Sequence, residues 1–267
     1  MLKRLLSFLP FYIFLIWTPG SAQIIFTESF TVILDSSKKV QGSIIPDFKF
    51  QTQRRNLIEF QNLADISFRM GDNALTFANK IEVSRFGKEA LLSGGYLYVE
   101  YRRILENTFV PEFYSQIHWA DARGMRFKYA GGINARFRIA AKENMGFFAG
   151  IGPFYEYERW NYNGVSDSAL IPADPIPIEV SHIKLGLYVN LKYSPADRIS
   201  TDFSVYYQSR FDGLFSTPRL ASSSRVSYRF TKHLSLAGMY QNIYDFAPVV
   251  PIKQLFNRVT LSVSISF

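Results

Sequence analysis

Arg258-Val259-Thr260-Leu261-Ser262-Val263-Ser264-Ile265-Ser266-Phe267 closes the chain, and its reading decides the fold. Val259, Leu261, Val263, Ile265 and Phe267 are apolar, while every residue between them is polar. A period of two places the two sets on opposite faces of a β-strand. The pattern recurs upstream with charges on the polar face. In 126–139, Phe127, Tyr129, Ile133, Ala135, Phe137 and Ile139 oppose Arg126, Lys128, Asn134, Arg136 and Arg138. In 183–193, Ile183, Leu185, Leu187, Val189, Leu191 and Tyr193 oppose Lys184, Gly186, Tyr188, Asn190 and Lys192. Alternation alone suits a soluble sandwich as well as a membrane barrel.

Segment number, loop parity and composition separate the two. Twelve candidate strands fall near 41–53, 56–69, 73–85, 91–103, 108–120, 125–139, 145–159, 179–193, 199–210, 219–230, 233–243 and 255–267. Most exceed the roughly five or six residues usual in globular sheets and are long enough to cross a bilayer at a tilt. The even-numbered connections are short: Met70-Gly71-Asp72, Ile104 to Thr108, Ala140 to Asn144, Ser194 to Arg198, and Thr231-Lys232. The two longest gaps, Asn161 to Ile178 and Tyr244 to Gln254, both fall among the odd-numbered ones. With the N-terminus in the periplasm, this parity gives the short periplasmic turns and longer outer loops of bacterial barrels. The 25 Phe, 16 Tyr and 3 Trp are more aromatic surface than a soluble domain of this size readily buries, and a lipid-facing wall uses them. The expectation is an all-β fold, a transmembrane antiparallel up-and-down barrel of about twelve strands over 39–267.

The N-terminus reads as a cleaved signal peptide over 1–22. Lys3 and Arg4 precede an apolar run from Leu5 to Trp17, too short for the roughly 20 residues of a membrane-spanning helix. Gly20-Ser21-Ala22 then supplies small residues for cleavage before Gln23. Residues 23–38, with Ile24-Ile25-Phe26 and Val32-Ile33-Leu34, read either as a periplasmic arm or as an extra strand. Phe267 ends the last strand on its apolar face, which resembles the signal read by the outer-membrane assembly machinery. These features place the protein in the outer membrane of a Gram-negative bacterium, with that membrane's lipids and its assembly machinery as partners.

The absence of cysteine excludes disulfides, thiolate metal sites and cysteine nucleophiles. The net charge is +8, but no run of basic residues suggests nucleic acid as a partner. No Rossmann or phosphate-loop glycine pattern occurs in a usable context, and no clustered metal ligands are visible, so no cofactor and no metal are expected. The three histidines are His118, His182 and His233. A lipid hydrolase would need a nucleophile beside one of them, yet Ser115 and Ser181 fall on the faces opposite to His118 and His182. The protein is therefore expected not to be an enzyme, with a lipid-modifying hydrolase as the remoter alternative.

Function then rests on the lumen. The expected lining includes Arg126, Lys128, Arg136, Arg138, Lys184, Arg225 and Arg229, opposed by Glu112, Glu156 and Glu158, with His118 among Gln116 and Tyr114. Two readings follow. These groups pair and fill the lumen, leaving an envelope or interaction role, or the basic surplus lines a narrow pore for small anionic solutes. Eight strands leave room for side chains only, while 16 to 18 leave an open channel, so about twelve lies between the limits.

Three stretches also resemble a known family. They are Glu112-Phe113-Tyr114-Ser115-Gln116 through Arg123-Gly124-Met125-Arg126, then Gly131-Gly132 to Arg136, then Gly146 to Gly152 with Tyr155-Glu156-Tyr157-Glu158-Arg159-Trp160. Over roughly residues 90 to 160 they are similar to the salt-induced outer-membrane protein family, a domain family of unknown function. The resemblance implies an outer-membrane barrel without an assigned enzymatic activity and carries over no catalytic residues.

Overall fold

The computed structural model describes residues 39–52, 56–103, 109–142 and 144–266. The expected leader over 1–22, the segment 23–38 and Phe267 lie outside the described residues. Twelve strands run through the described residues: β1 Val40–Gln51, β2 Leu57–Met70, β3 Asn73–Phe86, β4 Glu89–Arg103, β5 Phe109–Ala120 and β6 Met125–Lys142 form one half. The other half is β7 Met145–Trp160, β8 Ile178–Ala196, β9 Ile199–Arg210, β10 Arg219–Arg229, β11 Leu234–Asp245 and β12 Leu255–Ser266. Each strand pairs with its neighbours in sequence, and β12 pairs with β1, so the antiparallel sheet closes into a barrel.

Closure is uneven around the ring. β1 and β2 form an unbroken ladder from Val40↔Phe68 to Gln51↔Leu57. Among the described residues the β1–β12 seam pairs only at Ser43↔Ser266 and Ile44↔Ile265. Those pairs lie at the rim that carries Val40 and Ser266, here called the near rim; the opposite end is the far rim.

The strands match the alternation closely, with two instructive differences. β6 continues to Lys142 and β8 to Ala196, through stretches expected to turn. The ladder shifts register between Arg138 and Ala140 and between Tyr193 and Ala196. A bulge of this kind inverts the parity of side chains without ending the strand, so the sequence reads as a turn where the sheet only kinks. Near-rim turns are correspondingly tight. In the β2–β3 turn Gly71 takes φ 60°, a left-handed conformation that a residue with Cβ adopts only with strain.

Outward faces carry apolar side chains exposed on the barrel surface, among them Ile133, Ile139, Ile183, Leu187, Phe203 and Leu261. Such a band requires a hydrocarbon surround, and the closed sheet satisfies its backbone groups without water. Aromatic pairs flank the band at both ends. Phe109 and Phe137 meet near one rim with centroids 5.8 Å apart, while Phe127–Tyr157 and Tyr129–Tyr155 meet near the other at 6.1 and 6.4 Å. These positions suit amphipathic rings at the two lipid–water boundaries. The chain therefore has the fold of an outer-membrane-type β-barrel.

Candidate functional site: the lumen

Inward positions hold the charges, and β7 shows why they meet. Glu156, Glu158 and Trp160 alternate inward along its far half. Lys128 of β6 reaches Glu156 at 2.5 Å and Glu158 at 3.3 Å. Arg219, at the start of β10, reaches Glu156 at 3.3 Å, Glu158 at 3.1 Å and Asp245 of β11 at 2.9 Å. Lys184 of β8 also pairs with Glu156. The Trp160 indole donates to Glu158 at 3.0 Å. Arg219 therefore spans the interior from β10 to β7, passing two intervening strands. Buried charges persist only when paired and hydrogen-bonded in this way.

A second network crosses nearer the near rim. Arg102 of β4 pairs with Glu100 at 2.6 Å and with Glu112 of β5 at 3.0 Å. Arg136 of β6 lies 3.3 Å from Glu112, and its guanidinium stacks 4.1 Å from the Phe148 ring centroid. The Tyr188 hydroxyl of β8 donates to Glu112 at 2.7 Å. Tyr188 can lie across β7 because residue 150 is glycine; a Cβ there would overlap its ring. A third network joins Arg258 of β12 to Glu82 of β3 and to the Gln61 side chain of β2, at 2.9 Å for Gln61. Lys80 completes it at 2.5 Å from Glu82.

The far mouth is covered by apolar packing. Ala120, Met125, Trp160, Val165 and Val250 form one buried cluster, with Tyr162, Ile171, Val249 and Ile252 packed against it. Val165 belongs to the β7–β8 loop and Val250 to the β11–β12 loop, so the two longest loops meet over the lumen. Arg123, in the short helical turn Asp121–Arg123, places its guanidinium 3.4 Å from the centroid of Phe256 on the opposite wall. Burial pulls the pKa of Arg123 down to about 9 and nearby Arg219 adds to the fall, while Asp245 and Glu158 oppose it, so the group stays cationic at neutral pH.

The expected lining residues separate into three groups. Lys128, Arg136, Glu112, Glu156, Glu158 and Lys184 come together in the two networks just described. Arg225 is buried, with Nε 3.2 Å from the Ser227 hydroxyl, and Arg138 is half-buried lower on β6. Arg126 and Arg229 are corrections. The ladder shifts between Met125 and Phe127, so Arg126 leaves the inward stripe, stands more than half exposed and pairs with Asp121 at 3.6 Å. Arg229 is the last residue of β10 and bonds the Asp197 carbonyl across the near-rim turn, exposed to solvent.

His118 is buried on β5, edge-on to the Tyr96 ring at 6.3 Å, and its Nδ1 has no hydrogen-bond partner among the described residues. Ser115 is exposed on the outer face. His182 is half-buried, and His233 sits in a near-rim turn with Nδ1 2.9 Å from the Ser266 carbonyl.

Arg219 and Asp245 escaped the sequence reading because each stands at a strand end beside a loop. The signal was present: Arg219 shares the parity of Ala221, Ser223 and Arg225, all buried inward.

No protein family and no curated protein matches the chain in sequence. Solved structures of similar fold include the NanC porin, at 10% identity and TM-score 0.48, covering 85% of this chain and 98% of that one. The KdgM porin in complex with disordered oligogalacturonate has 11% identity and TM-score 0.45, covering 85% and 99%. The translocator domain of the autotransporter NalP from Neisseria meningitidis has 11% identity and TM-score 0.44, covering 85% and 87%.

Proposed function

We propose that this chain is an outer-membrane barrel of a Gram-negative bacterium whose lumen is filled, with an envelope or interaction role presented through its outer loops. The near rim then faces the periplasm and the far rim the exterior, with surrounding lipids and the assembly machinery as partners. The resemblance to the salt-induced outer-membrane protein family belongs to this reading. One observation carries it: side chains from strands that are not neighbours meet inside the barrel. Arg219 with Glu158, Tyr188 with Glu112 and Arg258 with Glu82 each bridge strands three places apart in the ring. A ring of twelve strands bridged at three places has little room for a continuous water path.

A non-catalytic role is part of the proposal. It is supported by the exposure of Ser115 on the outer face, away from buried His118, because hydrolysis needs nucleophile and base within hydrogen-bond reach.

A second reading, a narrow pore for small anionic solutes, is favoured by one feature. The chain carries a net charge of +8, so basic groups outnumber acidic ones overall, while around Glu156 the three cations Lys128, Lys184 and Arg219 meet the three carboxylates Glu156, Glu158 and Asp245. Planar-bilayer recording of the refolded protein separates the readings. A filled lumen gives at most rare, brief openings, and Arg219→Met raises their frequency by cutting the bridge from β10 to β7. Steady channels in the unaltered protein, more permeable to chloride than to potassium, would overturn the filled-lumen reading in favour of the pore.

A further inference from the structure

The β1–β12 seam differs from every other junction in the wall. After Ile44↔Ile265 the two strands run on toward the far rim without pairing among the described residues. Pro46 of β1, which has no backbone N–H to give, stands where the ladder stops. The outward side chains beyond it are the most open of their kind along these strands. Leu261 is 74% exposed and Val259 73% on β12, while Phe48 and Phe50 of β1 are 67% and 54% exposed.

The inner side of the same stretch is more exposed than the networks around Glu112 and Glu156. Lys49 of β1 pairs with Glu59 of β2 at 3.0 Å, yet their side chains remain 54% and 42% exposed. Asp47, one step nearer the seam's closed end, is exposed and has no ion-pair partner among the described residues. Arg258, just across the seam, is committed to Glu82 and Gln61. The seam thus joins an exposed polar recess, whose Asp47 carboxylate has no ion-pair partner among the described residues, to an apolar notch on the outer face. Unpaired strand edges are unfavourable in hydrocarbon unless polar atoms reach them.

We infer that the far half of the β1–β12 seam is a lateral binding site for a single-chain zwitterionic amphiphile. Its cationic head meets Asp47 inside the wall, and its chain lies outside between Phe48, Phe50, Val259 and Leu261. The polar part of the head supplies hydrogen bonds to the strand edges, and the chain covers the exposed apolar notch. The inference rests on the membrane-barrel reading.

The test uses the full mature chain refolded in phosphatidylcholine vesicles, with lysophosphatidylcholine carrying a photoactivatable diazirine on its acyl chain. Cross-links are expected at Phe48 to Gln51 and at Val259 to Leu261. The chain has no cysteine, so an introduced pair supplies the only thiols. Oxidising K49C/T260C should abolish those cross-links and reduction should restore them, while oxidising S43C/S266C at the paired end should change nothing. Asp47→Asn should weaken labelling by lysophosphatidylcholine but not by a diazirine fatty acid, whose head is anionic.

Labelling spread evenly over lipid-facing positions such as Ile133 and Ile183, or unchanged by oxidation, would overturn the inference. If K49C/T260C does not oxidise, hydrogen exchange decides. Fast exchange in 47–51 and 256–264 supports an open seam, and protection equal to that of β6 and β7 overturns it. A protein that fails to show heat-modifiable mobility in detergent would instead count against the barrel reading itself.

Discussion

Glu158→Ala offers a direct measure of how much the lumen network holds the barrel together. Glu158 is 1% exposed and takes Lys128 at 3.3 Å, Arg219 at 3.1 Å and the Trp160 indole at 3.0 Å. Truncation leaves a buried lysine and a buried arginine short of one carboxylate and removes the acceptor of the indole N–H. Breaking a buried pair from one side costs about 3–5 kcal/mol when nothing replaces the lost partner. Here Glu156 still lies 2.5 Å from Lys128 and 3.3 Å from Arg219, and Asp245 still holds Arg219 at 2.9 Å. The expected loss is therefore smaller, about 2–3 kcal/mol, or a factor of roughly 30 to 150 in the folding equilibrium.

The matching control is Glu59→Ala. Its pair with Lys49 is about half exposed on both sides, so water screens it and the expected cost is about 0–1 kcal/mol. Urea titration in phospholipid vesicles, followed by far-ultraviolet circular dichroism and by gel mobility without heating, measures both variants. The double variant Glu158→Ala/Arg219→Met adds a sign test. Removing the orphaned guanidinium together with its partner should be less destructive than the sum of the two single changes. Equal losses for Glu158→Ala and Glu59→Ala would refute the argument that the bridged lumen is dry and load is carried there.

Three further outcomes are expected. Leu187 lies outward in the middle of β8, so Leu187→Arg should cost about 2–4 kcal/mol near the bilayer midplane, while Lys192→Arg on the inward face should be near neutral; equal losses in a urea titration would mean the strand is phased wrongly. Gly150→Ala should displace the Tyr188 ring and break its bond to Glu112, costing about 1–3 kcal/mol by overpacking, whereas Gly186→Ala, whose Cβ would meet Phe154 at an ordinary 3.5 Å, should be tolerated. Protease added to intact cells should cut the exposed stretch Ser166–Pro177, and cleavage confined to 143–144 or 197–198 would invert the proposed orientation.

The fold was legible because lipid outside and charge inside impose the same two-residue period on every strand. Segments such as 183–193 write that period without error, and loop parity fixes the order of turns. Legibility failed where the sheet breaks its own period. The bulges at Arg138/Ala140 and Tyr193/Ala196 made strand look like turn, and the shift at Met125/Phe127 moved Arg126 off the inward stripe. Strand-by-strand reading also gives the face of a charge but not its partner. Glu156 meets Lys128 on an adjacent strand, which register could suggest, but it meets Arg219 only because the closed ring brings β10 across to β7.

Glycine carried information that charge did not. Positions 150 and 152 share the inward parity of Glu156 and Glu158, yet they bear no side chain. Read alone they look like weak points in a strand. In the closed barrel Gly150 is the space through which Tyr188 reaches Glu112.

The distribution of carboxylates explains why the barrel is bridged more heavily from β5 to β10 than beside β1, where Arg258 crosses. Glu112 on β5 and Glu156 and Glu158 on β7 lie on strands whose neighbours β6 and β8 carry Lys128, Arg136 and Lys184. Each of these acids also draws a partner from outside the neighbouring pair, Tyr188 for Glu112 and Arg219 for the other two. The lumen there is bridged by side chains that cannot remain charged or polar in isolation. Along β1 the opposing charges are local: Lys49 and Glu59 are direct cross-strand partners and need nothing from the far wall. A pair satisfied within one ladder does not itself reach across, and on this side it is Arg258 that spans the ring, to Gln61 and Glu82. The open recess beside the β1–β12 seam is thus a consequence of where the acids fall in the sequence. Moving one of them should move the recess: Asp47→Leu with Gln51→Leu would dry that side without touching the networks around Glu112 and Glu156, and lipid-borne cross-linking at the seam should fall while the urea midpoint holds.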